Sequence, residues 1–342
     1  MTAKLRLGLV GAGAISQTHV QAMPLVECAE IVGVADVRPE AAKATADSLG
    51  ARSFSSHEEL GKAFDLDGVI VCTPPSSHPE IAIHFLQKGV SVLCEKPLAI
   101  DSASARLMLE AAEQSGATLM MATKFRYVDD VVRAKSIVAS GVLGEITLFE
   151  NAFTSRVDMS RRWNSDPKVS GGGVLIDNGT HSVDLMRYFV GPLADIQVWE
   201  GRRSQGLTVE ETVKVFVRNG SGLMGTIDLS WTINKELDRY FNIYGSQGTV
   251  CVGWKESKYK AASSRDWVVF GKGYDKLQAL SAQLKNFCGV VRKQEMPLTT
   301  PEDALASVEV IEAAYEALRE SRWSPVANGK AVANGKPVAV AR

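Results

Sequence analysis

The chain has few cysteines and no strong charge of either sign. Its 342 residues include five cysteines with no Cys-x-x-Cys spacing, and the formal net charge is −1. Scattered thiols in an odd number exclude the pattern of a disulfide framework or a zinc cluster, so we expect a reducing, cytoplasmic environment and no metal site. The near-zero charge gives no basis for a nucleic-acid or anionic-membrane surface.

Long hydrophobic runs are also absent. No apolar stretch approaches the roughly 20 residues that cross a bilayer, and residues 1–4 lead directly into a strand-like pattern without a signal-peptide-like segment. Hydrophobic residues make up 45% and charged residues 23% of the chain, as in ordinary globular proteins. At this length we expect two domains and no membrane partner.

Short apolar segments alternate with helix-like segments through the first third of the chain. Turns that contain glycine or proline join them, which indicates a parallel sheet with helices on both faces. Residues 1–123 are therefore predicted to form a doubly wound, dinucleotide-binding α/β domain. The predicted strands are residues 5–10, 29–35, 52–54, 68–72, 91–94 and 118–122.

Longer segments of alternating apolar and polar residues follow Lys124. They predict a mostly antiparallel open sheet, with helices over residues 128–139, 173–189 and 301–321, in one α/β domain of residues 124–322. Residues 323–342 carry two copies of Val-Ala-Asn-Gly-Lys and are predicted to be a flexible tail, with a local extended contact as the alternative. The predicted strands are residues 146–154, 196–200, 212–218, 222–231, 240–244 and 248–253.

A glycine-rich turn follows the first predicted strand. Gly11-x-Gly13-x-x-Ser16 opens a helix, and Asp36 ends the next strand, which is the context of a dinucleotide-binding turn. Gly13 lets the backbone approach a pyrophosphate at the helix N-terminus. Asp36 is expected to accept hydrogen bonds from ribose hydroxyls and to repel a 2′-phosphate, which favours NAD. Arg38 is able to pair with a 2′-phosphate, which leaves NADP as the alternative cofactor. The other interpretation of Arg38 is a solvated charge.

Two further strand ends carry polar residues. Thr73-Pro74, followed by His78, ends one strand, and Glu95-Lys96-Pro97 ends the next. Doubly wound sheets bind ligands at this carboxyl edge, and a proline after Lys96 can adopt a cis bond that redirects the chain. A solvated Lys-Pro turn is the alternative interpretation of Lys96.

Three glycines, Gly171–Gly173, open an apolar run that contains Asp177 and His181. If this run is helical, the carboxylate and the imidazole lie on one face, one turn apart. A carboxylate that orients a histidine builds a proton acceptor that works near neutral pH. A buried structural Asp–His pair is the alternative.

Together these motifs resemble the Gfo/Idh/MocA oxidoreductases, which include glucose–fructose oxidoreductase and inositol dehydrogenase. The resemblance covers residues 5–320 and includes Lys124-Phe125-Arg126-Tyr127, Asp184 and Pro301-Glu302-Asp303. It implies a Rossmann domain, a second α/β domain whose open sheet forms a homodimer or homotetramer, and Lys96, Asp177 and His181 as the catalytic set. Ser16 and Lys124 depart from residues that are common in the family.

The resulting hypothesis is hydride transfer between NAD and a hydroxyl-bearing carbon of a sugar, cyclitol or related polyol. His181 is the expected base, Asp177 orients it, and Lys96 stabilises negative charge on the reacting oxygen. The cofactor is expected to contact Gly11, Gly13, Ala14, Ile15, Asp36, Val37, Arg38, Thr73, Pro74, His78, Glu95, Lys96 and Lys124.

The substrate is expected to lie near an aromatic face and several polar groups. Trp163-Asn164 suits a carbohydrate, although Trp163 as a partly buried anchor and Arg162 as a solvated charge are the alternatives. The substrate-contact residues are predicted to be Lys96, Arg126, Tyr127, Arg156, Trp163, Asn164, Asp177 and His181, with Arg162 and Asp184 as further candidates.

Two other functions stay open at this point. Some relatives cleave glycosidic bonds through transient oxidation with tightly held NAD, and others are non-catalytic NAD-binding regulators. The presence of Lys96, Asp177 and His181 argues against the regulator. Release of an aglycone without accumulation of NADH distinguishes the glycosidase.

Overall fold

A computed structural model of the protein describes residues 3–327, which divide into two compact units. Within the described residues, the first comprises residues 3–132, Arg162–Gly172 and Tyr274–Val308, and the second comprises Arg133–Arg161, Gly173–Gly273 and residues 309–327. The sequence prediction placed a single boundary at residues 123/124. Two later segments of the chain thus return to the first unit.

Six parallel strands form the sheet of the first unit. They are β1 Leu5–Val10, β2 Ala29–Ala35, β3 Arg52–Phe54, β4 Gly68–Val71, β5 Ser91–Glu95 and β6 Leu119–Ala122, in the order β3-β2-β1-β4-β5-β6. The helices between them are α1 Ala14–Ala22, α2 Pro39–Leu49, α3 His57–Ala63, α4 His78–Leu86 and α5 Ser102–Ser115. The predicted doubly wound sheet is confirmed, and its order changes direction between β1 and β4, where such sheets bind ligands.

Five more helices come later in the chain. They are α6 Asp129–Ala139, α7 Pro167–Ser170, α8 Val174–Val190, α9 Lys276–Val291 and α10 Pro301–Glu320, and of these α7 and α9 lie wholly within the first unit. The sequence prediction omitted α9, which begins where the Asp275 carboxylate accepts the backbone N–H groups of Leu277 and Gln278. Arg292, just after α9, donates to the carbonyl oxygens of Ala3 and Cys28. The end of α9 is thereby tied to the loop before β2.

Nine strands form the sheet of the second unit. They are β7 Ile146–Thr154, β8 Leu193–Glu200, β9 Thr212–Asn219, β10 Met224–Ser230, β11 Arg239–Gly245, β12 Gly248–Gly253, β13 Ser257–Ala261, β14 Val268–Gly271 and β15 Ser324–Pro325. Their order is β14-β13-β12-β11-β7-β10-β9-β8-β15, and only β7 and β10 pair in parallel within the described residues. This confirms the predicted mostly antiparallel sheet and adds β13, β14 and β15.

The start of the predicted flexible tail is a strand. Ser324 is buried and pairs with Ile196 of β8, and the Val326 N–H donates to the Ala194 carbonyl at 2.8 Å. The extended-contact alternative therefore describes residues 324–326, because the edge of β8 offers open hydrogen-bonding groups. The rest of the predicted tail, residues 328–342, lies outside the described residues.

None of the helices within residues 3–327 combines the length and the apolar character that spanning a membrane requires.

Candidate active site

The glycine-rich turn connects β1 to α1 at the carboxyl edge of the parallel sheet. Gly11 has φ +94°, and a Cβ there would lie 2.7 Å from the Cys72 carbonyl carbon, so a side chain does not fit. Gly13 caps α1 without any side-chain hydrogen bond, and a Cβ on it would meet no atom within 4 Å. The first amides of α1 therefore face an open approach, which fits the pyrophosphate of a dinucleotide.

Asp36 connects the end of β2 to this turn. Its carboxylate accepts the Ala12 N–H at 2.7 Å and, from Arg38, the backbone N–H at 2.8 Å and Nε at 3.1 Å. Burial alone would raise the pKa of Asp36, but the Arg38 side chain and these N–H donors outweigh burial and lower the pKa. Asp36 is therefore an ionised acceptor at the position expected for ribose recognition, and the neighbouring Val37 is exposed.

His78 holds two turns of this edge together. Its ring is fully buried, with Nδ1 2.9 Å from the Pro97 carbonyl oxygen and Nε2 2.8 Å from the Thr73 carbonyl oxygen. Burial lowers the pKa of His78. The ring thus faces the backbone of the turns after β4 and β5, and it positions Thr73-Pro74 beside Lys96-Pro97.

Lys96 follows β5 at the same edge and is half-buried. The Lys96–Pro97 peptide bond is cis. The preceding Glu95 is buried and lies 2.8 Å from the His19 ring. Sequence reasoning did not select His19, although it lies in α1, the helix that the glycine-rich turn opens.

Residues 124–127 form a short 3-10 helix, and two of their side chains point into the first unit. Arg126 is buried and donates to the Leu298 carbonyl at 2.9 Å and to the Asp303 carboxylate at 2.8 Å. The Tyr127 hydroxyl donates to Asn286 at 2.9 Å. These contacts hold α9 and the start of α10. They give Arg126 and Tyr127 a packing role that the predicted substrate contact did not include.

The remaining predicted substrate residues are more accessible. Trp163 is 46% exposed at the start of a short 3-10 helix over Trp163–Ser165, with Asn164 half-buried beside it and Arg162 exposed. These residues belong to the first unit, whereas the exposed Arg156 belongs to the second.

Helix α8 carries Asp177 and His181 in the second unit. Both are half-buried, one turn apart on the same face of the helix, as the sequence pattern predicted. The His181 ring centroid lies 6.3 Å from that of Phe153 on β7, at an interplanar angle of 73°. Asp184, one turn further, is buried.

A buried carboxylate binds the first turn of α8. Glu210 Oε1 accepts the N–H groups of Gly173 at 2.9 Å and Leu175 at 3.0 Å, and the Tyr315 hydroxyl at 2.8 Å. A Cβ on Gly173 would lie 2.2 Å from the Glu210 carbonyl oxygen, so this close approach requires glycine. Burial raises the pKa of Glu210 despite these donors. Sequence reasoning missed Glu210, which lies 37 residues from Gly173.

We expect Glu210→Ala to destabilise the protein by about 2–4 kcal/mol, because buried helix amides lose their acceptor. Glu210→Gln keeps an oxygen acceptor and avoids an ionisable group in a buried site, so we expect a loss below about 1 kcal/mol. Urea unfolding of the two variants measures the difference. Equal losses in both would show that the cap on α8 does not depend on this oxygen.

Two protein-family models match this chain. A family model described as an oxidoreductase family with an NAD-binding Rossmann fold matches residues 5–123. A second, described as the GFO/IDH/MocA C-terminal domain, matches residues 131–251. The two matches cover the strands that carry Lys96 and the helix that carries His181.

Curated relatives and solved structures match over nearly the whole chain. An inositol 2-dehydrogenase of Rhizobium meliloti is 24% identical over 94% of this chain and 99% of its own. The rhizopine catabolism protein MocA of Rhizobium meliloti is 27% identical over 92% of this chain and 95% of its own. The structure of a levoglucosan dehydrogenase in complex with NADH has a TM-score of 0.88 at 21% identity, and the match covers 95% of this chain and 99% of that chain.

Proposed function

Because the chain belongs to the Gfo/Idh/MocA family of NAD-dependent oxidoreductases, we propose that it transfers a hydride between NAD and a hydroxyl-bearing carbon of a sugar, cyclitol or related polyol. The observation that carries the proposal is Lys96, a lysine at the carboxyl edge of the NAD-binding sheet beside an ionised carboxylate. A ligand bound at this edge would meet the lysine.

The residues of the first unit would hold NAD in the manner of a Rossmann domain. The open N-terminus of α1 would bind the pyrophosphate, and Asp36 would accept the ribose hydroxyls. Bound NAD supplies the hydride acceptor. The further proposed contacts come from the turns after β1, β2, β4, β5 and β6: Gly11, Ala14, Ile15, Val37, Arg38, Thr73, Pro74, His78, Glu95, Lys96 and Lys124.

Three side chains would carry the chemistry. His181 takes the hydroxyl proton, and Asp177 on the same helix face orients its ring. Lys96 donates to the reacting oxygen and stabilises the negative charge that develops there. General-base help of this kind is typically worth about 10²–10⁴ in rate.

Trp163 and Asn164 are the proposed substrate contacts of the first unit, and Arg156 that of the second. An exposed indole face suits the C–H side of a sugar, and the adjacent amide suits its hydroxyls. Arg126 and Tyr127 anchor the turn after β6 within the first unit through their contacts with Asp303 and Asn286.

Replacing Asp36 by Asn is expected to weaken NAD binding about 10- to 100-fold, the worth of a hydrogen bond to a charged group. Asn keeps an acceptor for the Ala12 N–H but loses the charge that repels a 2′-phosphate, so NADP binding should improve relative to NAD. Asp47→Asn, an exposed carboxylate on α2, is the matched control. Titration of both cofactors by fluorescence measures the ratio, and an unchanged ratio would exclude Asp36 as the selector.

The function is tested by a substrate screen that follows NADH formation. Inositols, monosaccharides, sugar acids and levoglucosan are offered with NAD and, in parallel, with NADP, since relatives include inositol and levoglucosan dehydrogenases. Formation of NADH with a free polyol supports the proposal. Release of aglycone from a glycoside without NADH accumulation would replace it with the redox-neutral glycosidase.

The open sheet is the proposed site of self-association as a homodimer or homotetramer. One face of this sheet packs against α8, while Met224 and Trp199 are among its exposed apolar residues. Light scattering of the purified protein gives the subunit count.

All five cysteines are free thiols, which supports the proposed reducing, cytoplasmic environment.

A further inference from the structure

The side chains of His19 and Glu95 form a buried pair next to Lys96. His19 Nε2 lies 2.8 Å from Glu95 Oε1, and both residues are buried. The other carboxylate oxygen, Oε2, accepts the backbone N–H of Lys96 at 3.3 Å. One carboxylate therefore joins helix α1 to the backbone of the proposed catalytic lysine.

The His19 ring reaches Glu95 through one nitrogen. Its Nδ1 is buried and has no hydrogen-bond partner among residues 3–327. A proton on Nε2 makes His19 the donor to Glu95 and leaves only a lone pair unmatched at Nδ1. A proton on Nδ1 instead would leave a buried donor without an acceptor, and the unprotonated Nε2 would then face the Glu95 Oε1 atom as a second acceptor. The geometry thus makes His19 a donor.

Glu95 is ionised although it is buried. Burial alone would raise the pKa of Glu95, but the hydrogen bond from His19, together with the positive charges of Lys124 and Lys96, outweighs burial and lowers the pKa. His19 makes the largest of the contributions that lower it. The other titratable groups that feel the Glu95 charge are Cys72, His78, Cys94 and Tyr274.

We propose that His19 is a positioning residue for the reaction: its donated hydrogen bond keeps Glu95 ionised and oriented, and Glu95 in turn holds the backbone and attracts the ammonium group of Lys96. This inference rests on the role of Lys96 in the proposed function. A protonated Glu95 would lose the negative charge beside Lys96, and a rotated carboxyl group would release the Lys96 N–H. His19 therefore acts through Glu95 and contacts no reacting atom.

Four substitutions separate this role from simple packing. His19→Gln places an amide N–H near the position of Nε2, whereas His19→Met fills similar space without a donor, and Glu95→Gln removes the charge. We expect H19M and E95Q to lower kcat for polyol oxidation about 10²-fold, the cost of misplacing a reacting group by ~1 Å. H19Q should retain most of the wild-type kcat. His19→Asn, whose shorter amide does not reach Glu95, is measured beside H19M in case the latter folds poorly.

The pH profile provides the readout that packing would not move. In H19M and H19N, Glu95 takes up a proton at a pH about one to two units higher than in wild type, equivalent to one hydrogen bond to a charged group. The acid limb of kcat, which protonation of the proposed base His181 sets in wild type, should therefore become steeper as a second proton is taken up. H19Q should keep the wild-type profile. Unchanged profiles in both H19M and H19N would overturn the proposal.

A measurement without substrate separates this inference from the proposed function. Infrared difference spectra of H19M between pH 7 and pH 5 should show the carbonyl stretch of a carboxyl group that takes up a proton over this range, in excess of the spectra of wild type, H19Q and the double variant H19M/E95Q. If no polyol is oxidised by the wild type but the band appears, the proposed function fails while His19 still controls Glu95. If polyols are oxidised and the band is absent, the inference about His19 fails alone.

Discussion

Replacing Lys96 by Met is expected to lower kcat for polyol oxidation about 10²–10³-fold, the typical cost of losing one donor that stabilises an oxyanion. NAD affinity should stay nearly unchanged, because the pyrophosphate and ribose contacts come from the turn after β1 and from Asp36. Lys96 is half-buried at the carboxyl end of β5, the edge of the sheet at which doubly wound domains bind their ligands. Steady-state kinetics and NADH fluorescence titration measure the two effects.

Two further lysine substitutions make this result specific. Lys88→Met removes an exposed lysine after α4 and should leave kcat as in wild type. Lys96→Arg keeps the charge but replaces a compact ammonium group by a planar guanidinium, so we expect an intermediate kcat. A K96M enzyme with wild-type turnover would remove Lys96 from the mechanism and leave it only a cofactor or packing contact.

Local signals in the sequence account for most of the first unit. β1, β2 and β3 have the predicted bounds, and Gly11 and Asp36 directly follow the ends of β1 and β2. Helix α9 was missed although Asp275 caps it and its apolar residues recur at helical spacing. β13 has the sequence Ser-Lys-Tyr-Lys-Ala, a polar pattern that forms a strand through pairing with β12 and β14.

Contacts between distant residues explain why the site was predicted only in part. The sequence marks Lys96, Asp177 and His181 through nearby motifs, but His19 meets Glu95 across 76 positions. The motif Lys124-Phe125-Arg126-Tyr127 marks Arg126 as a candidate substrate contact, but nothing near it in the sequence indicates its partner Asp303, 177 positions away. Side chains that hold a site in place depend on tertiary packing, which hydrophobic periodicity does not encode.

Replacing His181 by Ala is expected to lower kcat about 10²–10⁴-fold, since a positioned base contributes a factor of that size. His181 is half-buried on α8, one turn from Asp177, and its ring lies edge-on to Phe153. The helix itself is held by Glu210 at its first turn, so the loss should come from the missing imidazole and not from unfolding. The rate-limiting proton removal should then respond to added bases.

Chemical rescue therefore decides between a base and a packing role for His181. In H181A the space left beside Phe153 should admit imidazole, and added imidazole should restore part of kcat in proportion to its unprotonated fraction. His84→Gln, at a half-buried histidine on α4, is the matched control and should show neither loss nor rescue. Asp177→Asn should lower kcat less than H181A, because it disturbs ring orientation but leaves the imidazole in place. A loss in H181A that imidazole does not relieve, together with a lowered unfolding midpoint in urea, would instead assign His181 to the packing of α8 against β7.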